Sequence, residues 1–565
     1  MRATKLRKAT AEIEPLRFIP LGGLEEVGRN MMFFEYKDEI VIIDAGLQFP
    51  EETTPGIDYI IPNVNYLESK KGNIKGLIIT HGHYDHIGAI PYIIHKLGHP
   101  TIYAAPITRE IIIKRQEDFA NQPRLKIEAI KHGDKINLGR YFEAEFFNLA
   151  HTIPDTTGVI LNTPMGRMVH FVDFKFDYDH EGHPLGLDDY ARIGKLGVHT
   201  LFMDSTNAEQ IGYSVSERLV EKNLEELFKN SPGRIVVGTF ASLITRLGEM
   251  IKIAGRLKRR VFVSGYSMKT NLQIAQNLGY LKFEKGAILP IEELHKYKDD
   301  KVIILCTGAQ GEPNATLMRV ANGEHKFIKT KPGDTIVLSS SIIPGNEHAV
   351  QVLKDNLTRQ GARVCQSTHI DIHSSGHAPK EELKKVVQLI KPRYLIPVHG
   401  YFFMRAANRE NAIEAGLARE NIFLMDNGQV AELTPDSLRI TDKTVDAFYV
   451  MVDGLGVGDV GEVVLRDRRI LAQEGMVVMV LTLDRERGRL LKNPDIISRG
   501  FIYLKENQEM LDQIRAKLRH LLDQIPRHQS LDADYLKSLI RDQVGQFLYS
   551  KTKRRPMVLP VVIEV

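Results

Sequence analysis

The chain is 565 residues long, more than one hydrophobic core organises, so two to four domains are expected. Hydrophobic residues are 43% and charged residues 26%, and the formal net charge of +4 neither demands nor excludes a polyanionic partner, so any surface for nucleic acid must be a local basic patch. The two cysteines, Cys306 and Cys365, exclude a disulfide framework and a cysteine-based zinc site and fit a reducing, cytoplasmic compartment; no run of about 18 apolar residues exists to cross a membrane.

The chain starts with a basic stretch, Arg2, Lys5, Arg7 and Lys8, which lacks the apolar run of a signal peptide and reads as a solvated tail rather than a phosphate-binding arm. Short β-rich runs follow: VIIDAG (41–46), GLIITHGH (76–83), MVHFVDF (168–174), TLFMDST (200–206), RIVVGTF (234–240), VFVSG (261–265), VIILCTG (302–308), TIVLSSS (335–341) and YLIPVHG (394–400). Helix-period segments such as SERLVEKNLEELFKN lie between many of them, so the pattern predicts an α/β protein with buried strands, its reactive residues just past the strand ends. After about residue 450 the texture changes. VDGLGVGDVGEVVLRDRR is Gly-punctuated and reads as strand-like. LDQIRAKLRHLLDQI puts Leu511, Ile514, Leu518, Leu521, Leu522 and Ile525 on one helical face, and PMVLPVVIEV closes the chain as a β run, giving a small separate α+β domain.

His81-Gly82-His83-Tyr84-Asp85-His86 sets three imidazoles and a carboxylate directly after a strand. These are ligands for Zn²⁺ or Mn²⁺, and a tight turn aims alternate side chains at two adjacent points, which suits two ions. Packing the same groups together with no ion would cost several kcal/mol. His151, Asp173 and His399 sit at further strand ends; each alone is weak, but strand ends of one sheet converge on one rim, and a carboxylate such as Asp173 suits a bridging role.

The HxHxDH motif followed by a His, an Asp and a late His resembles the metallo-β-lactamase superfamily. That resemblance implies one ion on His81, His83 and His151, a second on Asp85, His86 and His399, Asp173 between them, and Asp44 orienting the histidine loop without binding metal. The long interval between Asp173 and His399 holds another set of strand–helix units, as in the β-CASP nucleases. Asp204 in MDST and His377 in SSGHA match their added acidic and histidine motifs, and His399 doubles as the third. LGGLEEVGRN (21–30), HGHYDHIGAIPY (81–92), MDSTNAE (203–209), CTGAQGEP (306–313), SSGHAPKEEL (374–383) and DGLGVGDVGEVVLRDRR (453–469) narrow the likeness to the bacterial ribonuclease J family over nearly the whole chain. The implied fold is α/β: an αββα metallo-β-lactamase sandwich (1–212 and 367–448), an inserted α/β β-CASP domain (213–366), and a linker with a small C-terminal α+β domain (449–565).

The resemblance further implies a two-metal RNA phosphodiesterase, 5′→3′ exonucleolytic on 5′-monophosphate ends and endonucleolytic as well, working in RNA maturation and decay. Its cofactors would be two divalent ions per subunit, Zn²⁺ with Mn²⁺ or Mg²⁺ as alternatives. Asp85 counts among its catalytic residues. His377, oriented by Asp204, would be the general acid, or would only hydrogen-bond a phosphate oxygen. Ser242, Ser374, Ser375, Gly376 and His377 are carried over as a 5′-phosphate pocket, with His373 sharing that work or being structural. TGAQGEP (307–313), lacking a P-loop lysine, reads as a turn rather than an anion loop. Arg246, Lys269 and Arg405 are candidates to line an RNA groove between the domains, and Phe49 or Tyr401 to stack a base. Single-stranded RNA, a homodimer or homotetramer, and an RNA-degradation assembly are the implied partners. The competing readings are another hydrolase of the same fold, a thioesterase or lactonase, and a non-catalytic RNA-binding scaffold.

Overall fold

The structure is a computed structural model and describes residues 14–50, 54–119, 123–284, 286–312, 314–343, 345–368, 370–484, 490–502, 507–524 and 533–565; the basic cluster Arg2, Lys5, Arg7, Lys8 and the apolar Ile525 lie outside the described residues. Two compact units emerge: residues up to Gln48 with Ile61–Val450, and Phe49–Ile60 with Met451–Val565.

Two sheets face each other in the first unit. One has eight strands in the order Ser437–Thr444, Gln429–Thr434, Leu16–Gly22, Met31–Tyr36, Glu39–Ile43, Ile74–Ile78, Ile102–Ala104 and Ile127–Ala129. The other has six: Tyr394–Val398, Thr200–Asp204, Gly166–Phe171, Thr157–Thr163, Phe142–Asn148 and Lys135–Leu138. Phe18, Phe34, Val41 and Ile78 from the first pack on Phe146, Val159, Phe202 and Ile396 from the second, with the Phe18 and Phe202 rings 4.5 Å apart. The outer face of the six-stranded sheet, through Phe171, Leu201 and Leu395, is covered by Tyr190 and Ile193 of helix Leu187–Lys195 and by Leu383 and Val386 of helix Lys380–Ile390. Strands such as Met31–Tyr36 are buried along their whole length because both faces are covered, which is why they read as unbroken apolar runs rather than alternating ones.

Strands Thr200–Asp204 and Tyr394–Val398 pair in parallel, Asp204 opposite Val398, so the chain leaves and rejoins the sheet at adjacent positions. Between them a third sheet of six parallel strands forms, ordered Ile288–Leu289, Arg260–Ser264, Val302–Cys306, Ile235–Thr239, Thr335–Ser339 and Arg363–Gln366, with helices such as Glu217–Lys229 and Ile244–Arg256 between strands. Ser216 caps the first of these helices, its hydroxyl accepting the Leu219 N–H at 3.2 Å. Both cysteines lie in this sheet, free and buried.

The seam between this inserted lobe and the sandwich is polar. Buried Glu382 accepts the backbone N–H groups of Phe176 and Ser214, each at 2.7 Å, and the Tyr178 hydroxyl at 2.8 Å. Lys175, its side chain 1% exposed, donates to Glu217 at 2.6 Å and to Ser374 Oγ at 2.9 Å. Arg246 grips Glu217 at 2.7 and 2.9 Å and donates to His373 Nδ1 at 2.6 Å. Arg246 is therefore not a groove-lining cation as expected: helix Ile244–Arg256 turns it inward, and its charge is spent on Glu217. Arg405 is corrected likewise; it is fully buried and donates to the carbonyls of Gly400 and Met425. Lys269 is exposed. Residues 307–312 turn back on themselves: the Gln310 amide donates to the Ser340 hydroxyl at 3.1 Å and Glu312 accepts the Gln310 N–H at 3.3 Å, so an acid takes up the backbone N–H there.

In the second unit, strand Met476–Leu483 lies between Asp495–Arg499 and Met557–Glu564. Its alternate residues Val477, Met479 and Leu481 pack on Ile514 and Leu518 of helix Gln508–Asp523 and on Ile540 and Val544 of helix Ala533–Thr552. The 453–469 segment departs from the strand-like expectation. After two short strands, Val450–Asp453 and Gly456–Val457, it becomes the helix Glu462–Glu474, because its Glu, Arg and Leu residues favour helix once Gly461 is passed.

Burial alone would raise the Glu217 carboxyl, but Arg246 and Lys175 outweigh it and pull its pKa down to about 2. A depressed acid stabilises the fold fully above its unfolded pKa near 4.5, and that contribution is lost as pH falls toward the folded value. Glu217→Gln, which leaves two buried cations short of their anion, is expected to cost about 2–4 kcal/mol at neutral pH. The gap between wild-type and variant melting temperatures should narrow from about pH 4.5 downward.

Candidate metal centre

The sequence-predicted metal residues and Asp44 gather past strand ends on one rim of the sandwich, with Asp85 and His86 in the short helix Tyr84–Ile87. Asp44 follows Glu39–Ile43, His81 follows Ile74–Ile78, His151 follows Phe142–Asn148, Asp173 follows Gly166–Phe171 and His399 follows Tyr394–Val398. Asp44, Asp173 and His399 hold left-handed backbone angles, φ 62°, 53° and 54°, a strain that the surrounding contacts must over-determine. Gly46 makes the histidine loop's approach possible: a Cβ there would fall 1.6 Å from the Asp85 carbonyl oxygen.

Two groups of donor atoms converge, His81, His83, His151 and Asp173 in one, Asp85, His86, Asp173 and His399 in the other, with the atoms of each within 4.8 Å of one another. In the first, His83 Nδ1 is 2.9 Å from His81 Nε2 and 3.1 Å from His151 Nε2, while Asp173 Oδ2 is 3.5 Å from His81 Nε2. In the second, His86 Nε2 is 3.3 Å from Asp173 Oδ2 and 3.4 Å from Asp85 Oδ2, and His399 Nε2 is 3.3 Å from Asp173 Oδ1 and 3.4 Å from Asp85 Oδ2.

Neighbouring groups fix which ring nitrogen carries the proton. A carbonyl only accepts, so His151 Nδ1 donates to Gly376 O at 2.7 Å and presents a bare Nε2. His86 Nδ1 donates to Asp44 Oδ2 at 2.8 Å. Asp44 also holds the Thr80 N–H at 2.8 Å and the Thr80 hydroxyl at 2.9 Å, so that hydroxyl oxygen is left to accept from His81 Nδ1 at 3.1 Å. The Thr206 hydroxyl donates to Asp204 Oδ1 at 2.8 Å and accepts from His399 Nδ1 at 2.7 Å. The lone pairs of His81 and His151 therefore converge on His83 Nδ1, those of His86 and His399 face the Asp85 and Asp173 carboxylates, and buried Asp173 Oδ1 has no hydrogen-bond partner among the described residues. Cations resolve this. Ligands about 2.0–2.1 Å from a tetrahedral ion stand about 3.3–3.4 Å apart, the spacing seen around Asp173.

His377 Nδ1 meets Asp204 Oδ2 at 2.7 Å, and its ring lies 5.2 Å from that of His399 and 5.6 Å from that of His151. Burial disfavours its imidazolium, but Asp204, Asp173 and Asp85 outweigh burial and push its pKa up to about 9. Ser375 and Gly376 stand in the same turn, held by Asn207, whose amide donates to Ser375 Oγ at 2.8 Å and to the His377 carbonyl at 2.9 Å. Ser374 Oγ is taken by Lys175. His373 is buried and spent, accepting from Arg246 and donating from Nε2 to Ser341 Oγ at 2.8 Å, an arrangement that belongs to the seam. Ser242 is half-buried just before helix Ile244–Arg256. Tyr401 stacks on exposed Phe403 with rings 6.1 Å apart, whereas Phe49 contacts Tyr59 in the other unit. Sequence reasoning missed Thr80, Lys175, Thr206 and Asn207; all four lie within two or three residues of a residue it did name.

The family model described as the metallo-beta-lactamase superfamily matches residues 24–163, and the Zn-dependent metallo-hydrolase RNA specificity domain matches 366–423. The ribonuclease J beta-CASP domain matches 232–357 and the ribonuclease J C-terminal domain 463–565. Ribonuclease J2 of Bacillus subtilis (strain 168) is 37% identical over 553 residues, covering 98% of this chain and 99% of its own. The chain belongs to the ribonuclease J family. Ribonuclease J 1 of Streptococcus pyogenes serotype M3 is 38% identical, covering 96% of both chains. A solved protein of unknown function from Enterococcus faecalis V583 matches 74% of this chain and all of its own with a TM-score of 0.52 at 17% identity, a likeness of fold. The family and the His/Asp cluster make this a metal-dependent ribonuclease that binds divalent cations and RNA; the thioesterase, lactonase and scaffold readings are not favoured. Among the described residues no helix is long and apolar enough to cross a membrane.

Adding a divalent ion to chelator-stripped protein at 100 times its dissociation constant should raise stability by about 2.7 kcal/mol, read from the melting temperature. Asp44→Ala, although Asp44 is not itself a ligand, should weaken ion binding by about 10–100-fold in a chelator competition.

Proposed function

We propose that this chain is a 5′→3′ exoribonuclease preferring 5′-monophosphate ends, with endonucleolytic activity as well, that works on two divalent ions per subunit. One would be held by His81, His83 and His151, the other by Asp85, His86 and His399, with Asp173 serving both. The observation that carries the reading is the pair of donor groups sharing Asp173, with the His377–Asp204 pair at their edge. Bound there, Zn²⁺, Mn²⁺ or Mg²⁺ would supply Lewis acidity, lowering the pKa of water and offsetting charge on the phosphoryl oxygens.

The protein's own residues do the rest. Asp204 accepts a hydrogen bond from His377 Nδ1–H, which leaves Nε2–H to deliver a proton to the departing 3′-oxygen. The small residues of the 374–377 turn let a terminal phosphate approach the backbone and the Ser375 hydroxyl, so that cleavage is counted from the 5′ end. Ser242 is carried over to this pocket on the resemblance alone. Assembly as a homodimer or homotetramer, membership of an RNA-degradation assembly and a cytoplasmic location belong to the same proposal and rest on the family.

End-labelled RNA bearing a 5′-monophosphate, triphosphate or hydroxyl is digested with Mn²⁺ or Zn²⁺. Mononucleotides should appear fastest from the monophosphate and internal fragments from the triphosphate; equal rates from all three ends would sink the end preference. His377→Ala should lower kcat about 10²–10⁴-fold with ion content unchanged. A smaller loss would leave His377 as a phosphate contact.

A further inference from the structure

His151 receives its orientation from a segment far along the chain. The Gly376 carbonyl that accepts its Nδ1–H stands on the turn by which the chain returns from the inserted lobe, 225 residues further on. The contact is tight on both sides: a Cβ at Gly376 would lie 2.4 Å from His151 Cε1. Gly376 does not stand in the left-handed φ region that favours glycine, so the room left by its absent side chain goes to the imidazole. The turn is pinned in place by Asn207, which grips it before and after Gly376.

The other donor group is oriented differently. His399 takes its proton placement from Thr206, and His86 from Asp44, both on strand ends of the sandwich itself. The two groups share Asp173, and the Asp44–Thr80 pair reaches a ring in each, but His151 and His399 are oriented by separate partners, Gly376 and Thr206.

The geometry points to Gly376 as a positioning residue for one ion only: its carbonyl, on a turn that Asn207 pins through Ser375 and His377, completes the His81/His83/His151 group, so that this ion depends on the lobe-return turn while the Asp85/His86/His399 ion depends on Thr206. This rests on the two-ion reading given above. It also means that the turn proposed to meet the 5′-phosphate is one hydrogen bond away from a metal ligand.

The full chain, stripped with a chelator and checked by far-UV circular dichroism, is titrated with Zn²⁺ against a chromogenic chelator, and with Co²⁺ while its visible absorption is followed. Wild type should show two dissociation constants. Gly376→Ala should raise one of them about 10–100-fold and leave the other unchanged. Asn207→Ala, which adds no clash and touches no ligand, should weaken the same ion by a smaller factor, and it carries the test if Gly376→Ala does not fold. Thr206→Val should weaken the other ion, so that Gly376→Ala combined with Thr206→Val weakens both. The inference is overturned if Gly376→Ala and Asn207→Ala leave both constants unchanged, or if Gly376→Ala and Thr206→Val act on the same ion. Uptake of fewer than two ions by wild type would overturn the two-ion reading itself, whereas two ions with unresponsive variants would overturn this inference alone.

Discussion

Bare imidazole nitrogens pointing at one another across about 3 Å, around a carboxylate sealed from water, form an arrangement that only positive charge makes stable. The rest of the first unit serves that arrangement. The strands end at the same rim, three of the end residues are forced into left-handed backbone, and Asp44, Thr80, Thr206 and Gly376 each occupy the far nitrogen of a ring so that the near one stays unprotonated. Strain of this kind persists only where the surrounding packing has no alternative, and the two facing aromatic-rich sheets supply that rigidity.

The inserted lobe is tolerated because the strands on either side of it are neighbours, so the host sheet closes as though nothing intervened. Charged and hydrogen-bonded side chains run along the join. Glu382 ties the departing segment to the sandwich, while Lys175, Glu217 and Arg246 tie the lobe's first helix and its second to the segment that returns. Lys175 stands two residues beyond Asp173, so the joint and the rim that carries the candidate metal site share a strand end. Such a network fixes orientation more than it adds stability, since removing water from three charges offsets much of their attraction.

The histidine loop, the nine apolar runs and the order of the motifs were legible in the sequence, because clustered histidines and aspartates are chemically unusual and buried strands have an unusual texture. What was not legible depended on partners far along the chain. Arg246 and Arg405 read as surface cations, because nothing in their own neighbourhood announces Glu217 or a pair of carbonyls. Thr206 and Asn207 are ordinary polar residues until His399 and the 375–377 turn are brought beside them. The helix Glu462–Glu474 was hidden by the glycines before it, and nothing marked 49–60 as part of the C-terminal unit.

Cys306 and Cys365 are the chain's whole complement of thiols, and both sit inside the parallel sheet of the inserted lobe. The sandwich and the C-terminal unit carry none. Alkylation kinetics on the unmodified protein thus report the breathing of one lobe against a silent background. The effect of bound nucleic acid on that motion is measurable without introducing a label.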